Sequence, residues 1–214
     1  MKIAPSILSA DFSRLGEDIL MLNSSADLIH LDVMDGSFVP NISFGFPVLE
    51  AVASVARIPM DAHFMVVHPE KWVERTAALG VSMMSFHLEA AGRGTASVIK
   101  KIHEAGMKAG VVINPDVPVE RLFPYIGKAD FFLIMSVFAG FGGQKFIPES
   151  LARIAALRKE IVRRGASALI EVDGGVDAGN AAALHEAGAD ILVAGSSVFK
   201  AQDPAAAIST LRTA

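Results

Sequence analysis

The stretch Ala26-Asp27-Leu28-Ile29-His30-Leu31-Asp32-Val33-Met34-Asp35-Gly36-Ser37-Phe38-Val39-Pro40-Asn41 holds a strand whose two faces differ. Extended backbone points successive side chains to opposite faces, so His30 and Asp32 share one side and Leu31 and Val33 the other. With the apolar face packed, the imidazole and the carboxylate enter an interior where an unpaired charge is costly. Two readings satisfy that cost: a hydrogen-bonded His-Asp pair at a strand end, or a divalent cation held between them.

Working outward, the chain alternates short β-rich runs with Ala-, Glu-, Lys- and Arg-rich helical stretches, the pattern of repeated βα units on a parallel sheet. Strands are expected over residues 2–8, 28–33, 60–65, 83–88, 108–113, 131–135, 168–172 and 191–193. Helices are expected over 11–23, 46–56, from Pro69 onward, 95–105, 119–125, 148–164, 178–187 and 204–211, with Ser9 or Asp11 capping the first. The triplet X-Ala-Asp recurs at 25–27, 128–130 and 188–190, ahead of the second, sixth and eighth strands, a weak internal echo. Eight such units in 214 residues, with short connections, predict one domain over 1–214, an α/β (β/α)8 barrel; a doubly wound open sheet is the runner-up. Both architectures place ligands at the carboxyl ends of strands.

Composition narrows the function. A formal net charge of -4 with no basic tract argues against a nucleic-acid surface. The absence of cysteine leaves only His and carboxylate as metal ligands and fits a reducing cytoplasm, where we expect the protein. No signal-peptide-like apolar core follows Met1, and no uncharged run reaches bilayer length.

At the expected strand ends, His63 follows Asp61 by two residues on the third strand, and Asp173 closes the seventh. His30, Asp32, His63 and Asp173 thus converge on one mouth as a ligand set suited to a zinc-like ion, although an Asp before Gly-Gly is also an ordinary turn former. His87 and Glu89 continue the alternation on the fourth strand, as a layer behind the ligands or as a core pair. His68, His103 and His185 read as surface residues. Glycines gather at three late strand ends: Gly140-Phe141-Gly142-Gly143-Gln144, Gly174-Gly175 and Gly195-Ser196. Backbone amides freed in this way cradle phosphate without Lys or Arg. Met34, Met65 and Met135 stand at strand ends, as core filling or as a polarisable wall.

Residues 4–12, the stretch His30 to Asn41, His63-Phe64-Met65-Val66, the loop Gly140 to Gln144 and Glu171-Val172-Asp173-Gly174-Gly175 resemble the ribulose-phosphate 3-epimerase family over essentially the whole chain. The resemblance implies a TIM barrel of the ribulose-phosphate-binding type and metal-dependent interconversion of D-ribulose 5-phosphate and D-xylulose 5-phosphate in the pentose phosphate pathway. It implies one divalent ion on His30, Asp32, His63 and Asp173, with Zn2+ expected first and Fe2+, Mn2+ or Co2+ as alternatives. Asp32 and Asp173 would be the acid and base. Ser9, His63, Gly140, Phe141, Gly142, Gly143, Asp173, Gly174, Gly175, Gly195 and Ser196 would hold the sugar phosphate, and a homo-oligomer is expected. The chain departs from the family pattern at Phe138-Ala139, where Asn-Pro is usual, and at Phe64, where Leu is usual. Rival readings are a D-allulose 6-phosphate 3-epimerase, a lyase or decarboxylase on the same barrel, which would usually place a Lys near the strand ends, and a non-catalytic sugar-phosphate binder.

Overall fold

The structure is a computed structural model describing residues 1–214. Eight parallel strands alternate with helices. The first half comprises β1 (Lys2–Pro5), α1 (Leu15–Ser25), β2 (Ile29–Met34), α2 (Phe46–Val55), β3 (Met60–Met65), α3 (Val73–Ala78), β4 (Met83–His87), α4 (Leu88–Ala91) and α5 (Thr95–Glu104). The second half comprises β5 (Lys108–Ile113), β6 (Phe131–Met135), α6 (Ser150–Arg163), β7 (Leu169–Asp173), α7 (Ala181–Ala187), β8 (Ile191–Ala194), α8 (Ser196–Phe199) and α9 (Pro204–Thr213). The strands pair in the order β1-β8-β7-β6-β5-β4-β3-β2, each parallel to its neighbours. That sequential order excludes the doubly wound alternative, which would reverse direction within the sheet. The remaining seam, β1 to β2, is closed by a parallel bridge between Ser6 and His30 and by the Asp27 and Leu28 N–H groups donating to the Ile3 carbonyl at 3.1 and 3.4 Å.

The X-Ala-Asp echo has a physical meaning. Asp27 accepts the Ile3 N–H at 2.9 Å, Asp130 the Ala109 N–H at 2.8 Å and Asp190 the Ile170 N–H at 2.8 Å. Each acid thus holds the opening of the strand before its own. A helix returns a basic group to each: Arg212 to Asp27, His103 to Asp130 and Arg158 to Asp190. His103 is exposed, as expected, and its Nε2 meets Asp130 at 2.7 Å.

The barrel interior is filled in layers. Ala4, Leu28, Met83, Phe131, Ile191 and Val193 form an apolar floor. Phe131 lies so close to Gly110 that a Cβ there would sit 2.3 Å from its ring. Outside the strands, helix stripes such as Val98, Ile99 and Ile102 bury against the sheet. No helix is long and apolar enough to cross a membrane.

Several local expectations shift. The first strand stops at Pro5 because Ser6 caps a short 3-10 turn, Ile7–Ser9, accepting the Leu8 N–H at 3.3 Å. Asp11 folds back on Ser13, so α1 starts at Leu15 without a side-chain cap from Ser9 or Asp11. Glu89 sits on the helical turn α4, not on the fourth strand. The segment Val119–Tyr125 is a 3-10 helix, in keeping with Pro124 inside it.

Candidate active site at the carboxyl ends of the strands

Register builds the polar centre. His30 pairs with Asp61 and Asp32 with His63 across β2 and β3, so the barrel-facing side carries a checkerboard of imidazole and carboxylate. Met135 pairs with Asp173 across β6 and β7, bringing that carboxylate to the same level. One ligand atom from each of His30, Asp32, His63 and Asp173 lies within 4.8 Å of all the others. His63 Nδ1 stands 3.2 Å from Asp32 Oδ1 and 3.8 Å from Asp173 Oδ2. His30 Nε2 stands 3.3 Å from Asp32 Oδ1 but is not aligned to bond it, which leaves a buried nitrogen without a partner. Two imidazole nitrogens and two carboxylate oxygens, one nitrogen orphaned and facing the others, fit a divalent cation.

A second layer holds these ligands. His30 Nδ1 meets Asp61 Oδ2 at 2.7 Å, the carboxylate-imidazole contact that orients a metal-binding histidine. His63 Nε2 meets His87 Nε2 at 2.9 Å, placing His87 behind the ligands. Ser6 Oγ donates to Asp32 Oδ2 at 2.5 Å. Sequence reasoning missed Ser6, because only the seam between β1 and β2 brings it to Asp32.

The two catalytic candidates titrate apart. Burial alone would raise Asp32, but His30 and His63 beside it hold its carboxyl well below the usual range. Burial pushes Asp173 up to about 7, and the Asp32 charge adds to that. Burial lowers His63 to about 4, partly opposed by its bond to Asp32. Burial disfavours the His30 cation too, yet Asp32 and Asp61 hold its pKa well above the ordinary value. Glu171 rises through burial and the nearby Asp61 charge.

One cavity opens above this centre. Ser9, Asp32, Gly140, Phe141, Gly142, Gly143, Asp173, Gly174, Gly175, Gly195 and Ser196 all line it, as do Met34, Met65 and Met135. His30 and His63 lie fully buried behind its wall. None of the N–H groups from Gly140 to Gly143, nor those of Gly174 and Gly175, donates within the chain, so they remain free for an anion. Glycine is required where backbones meet closely: a Cβ on Gly175 would sit 2.4 Å from the Phe146 nitrogen, whereas at Gly195 the near atom is the Ser9 hydroxyl, at 2.6 Å. Lys145 is exposed and does not line the cavity.

Residues 2–199 match the family model described as "Ribulose-phosphate 3 epimerase family". Ribulose-phosphate 3-epimerase of Synechocystis is 48% identical over 212 residues, covering 98% of this chain and 92% of the relative. The Bacillus subtilis ribulose-phosphate 3-epimerase is 44% identical over 214 residues, covering 99% and 98%. Among solved structures, 3-hexulose-6-phosphate synthase superposes with a TM-score of 0.73 at 19% identity, covering 100% of this chain and 99% of that one, a likeness of fold. The checkerboard of His30, Asp32, His63 and Asp173, the glycine cradle above it and these whole-length matches agree: the chain belongs to the ribulose-phosphate 3-epimerase family.

Proposed function

We propose that the protein interconverts D-ribulose 5-phosphate and D-xylulose 5-phosphate by inverting carbon 3, in the cytoplasm and as a step of the pentose phosphate pathway. The observation that carries this reading is the pair Asp32 and Asp173, gathered with two histidines in one cluster and titrating apart. Inversion next to a ketone needs one base to take a proton and one acid to return a proton on the opposite face. Asp32, held ionised, takes the C3 proton, and the C–H electron pair moves into the ene-diolate. Asp173, the carboxyl raised by burial, gives its proton to the opposite face of C3. The reverse reaction starts from the exchanged protonation states.

His30, Asp32, His63 and Asp173 would hold a divalent ion, for which zinc suits the nitrogen and oxygen donors, with iron, manganese or cobalt as alternatives. Bound there, the ion supplies Lewis-acid stabilisation of the charge that develops on the substrate oxygens. The free N–H groups of Gly140 to Gly143, with Ser9, Gly174, Gly175, Gly195 and Ser196, bind the phosphate. Met34, Met65 and Met135 exclude water from the reacting carbon. A lyase acting through a strand-end lysine finds no such residue here, since Lys145 lies outside the cavity.

The test is incubation with ribulose 5-phosphate in deuterated water. Xylulose 5-phosphate carrying deuterium at C3 is the expected product. Absence of both product and label overturns the reading, and a faster rate on D-allulose 6-phosphate reassigns the sugar.

A further inference from the structure

The loop between β6 and α6 carries the free N–H groups of Gly140 to Gly143, yet belongs to no helix or strand where they lie. Three side-chain amides fix it instead. Gln144 Nε2 donates to the Phe138 and Phe141 carbonyls at 2.7 and 2.8 Å, closing the loop on itself. Asn41 Nδ2 donates to the Gly140 carbonyl at 2.7 Å. Asn114, at the end of β5, accepts the Ala139 N–H on its Oδ1 at 3.0 Å.

Asn114 is itself held from every side. Its Nδ2 and its backbone N–H both donate to Glu89 Oε1, at 2.9 and 3.0 Å, and its carbonyl accepts from Arg153 at 2.8 Å. A carboxylate only accepts and a backbone N–H only donates, so these two partners leave a single orientation for the amide. Burial opposes ionisation of Glu89, but the adjacent His87 keeps its carboxyl below the ordinary range, which preserves the acceptor. Asn114 does not line the cavity and reaches it through partners: Ala139 on the loop, and at 3.4 Å His87 Nδ1, whose other nitrogen meets His63.

The contact exists because residue 139 is not proline, which has no N–H to give. Where the resembling pattern has Asn-Pro, this chain has Phe138-Ala139 and loses the fixed φ of a pyrrolidine ring. We propose that Asn114 is a positioning residue, a latch that replaces that rigidity and holds the Gly140–Gly143 amides ready for the substrate's phosphate. This rests on the phosphate-binding role assigned to the loop above.

Asn114→Ala is expected to raise KM for ribulose 5-phosphate and the Kd for inorganic phosphate about five-fold, the scale of one lost hydrogen bond, with kcat changed less than about two-fold. Adding Ala139→Pro to Asn114→Ala restores both constants toward wild type, because the ring pins φ without needing the latch. A role confined to supporting Glu89, Arg153 or His87 would not be rescued in this way. Unchanged KM and phosphate affinity in Asn114→Ala overturns the proposal, as does a failure of rescue. If Asn114→Ala does not fold, hydrogen exchange on the wild-type protein decides: slow exchange at Ala139 against fast exchange at Gly142 and Gly143 supports the latch, and equal rates overturn it. A wild-type protein with neither phosphate binding nor epimerisation refutes the assigned function, while the exchange measurement still judges the latch.

Discussion

Ser6 Oγ donates to Asp32 Oδ2 at 2.5 Å across the seam between β1 and β2, the one place where the sheet has no strand ladder. The same bond therefore adds to the backbone contacts across that seam and orients a candidate catalytic carboxylate. Both partners are nearly buried at the floor of the cavity, and without the hydroxyl Asp32 keeps only the imidazoles beside it. Ser6→Ala is expected to lose about 2 kcal/mol of stability, the scale of a hydrogen bond to a charged group, and to lower kcat/KM. Thermal melts and initial rates check this, and a variant that melts and turns over like wild type would dismiss the dual role.

Asp173→Asn keeps the side chain's shape while removing its exchangeable carboxyl proton. Turnover is expected to fall by about 10^2 to 10^4, the range general acid-base groups supply, while inorganic phosphate still binds in the glycine cradle. Steady-state rates together with phosphate titration separate the two. A near-normal rate would discard the two-carboxylate scheme.

Metal affinity should depend on pH with a defined sign. Burial raises Asp173 to about 7, so near neutrality it carries the proton that the acid step uses, and that proton is not counted as released when a cation arrives. The proton that must leave is on His30, because Asp32 and Asp61 hold its pKa above the ordinary value against its burial. His63, lowered by burial to about 4, has no proton to lose near neutrality. Acid therefore favours the metal-free form, and zinc affinity is expected to fall about ten-fold per unit as pH drops from about 7 to about 6. Competition against a chelator across that range measures it, and an affinity independent of pH would contradict the ligand set.

Gly175 has φ +64, and a Cβ there would sit 2.4 Å from the nitrogen and 2.8 Å from the Cα of Phe146, backbone atoms that cannot swing aside. Gly143 has a similar φ of +72 with nothing within 4 Å. Gly143→Ala is expected to cost only the left-handed strain, about 1 kcal/mol, and Gly175→Ala about 2–3 kcal/mol with a raised KM. Urea unfolding of the two variants side by side checks the difference. Equal losses would show that strain alone governs both positions.

Residues close in sequence announced themselves through period and type. The alternation of His30, Leu31, Asp32 and Val33 placed two candidate ligands on one face, and the second pair on β3 fell into register with them. The X-Ala-Asp echo was visible as a repeat, but its cause, an acid accepting the first amides of the strand before it, is a contact between neighbours in space. Ser6, Asn41 and Asn114 gave no signal because each acts on a partner far along the chain: Asp32 is 26 residues from Ser6, and Gly140 is 99 residues from Asn41. Glu89 was misplaced because the alternation of β4 stops at His87, where the chain turns helical.

Hydrophobic period and residue type act locally, and they were enough to read the eight-unit barrel, the four candidate metal-holding side chains and the glycines that leave backbone amides free. Closing the barrel settles that Asp32 is pushed low and Asp173 high, that the Ser6 hydroxyl bonds across the last seam, and that Asn114 reaches the glycine loop. Each of these depends on burial and on distances between segments that closing the barrel brings together.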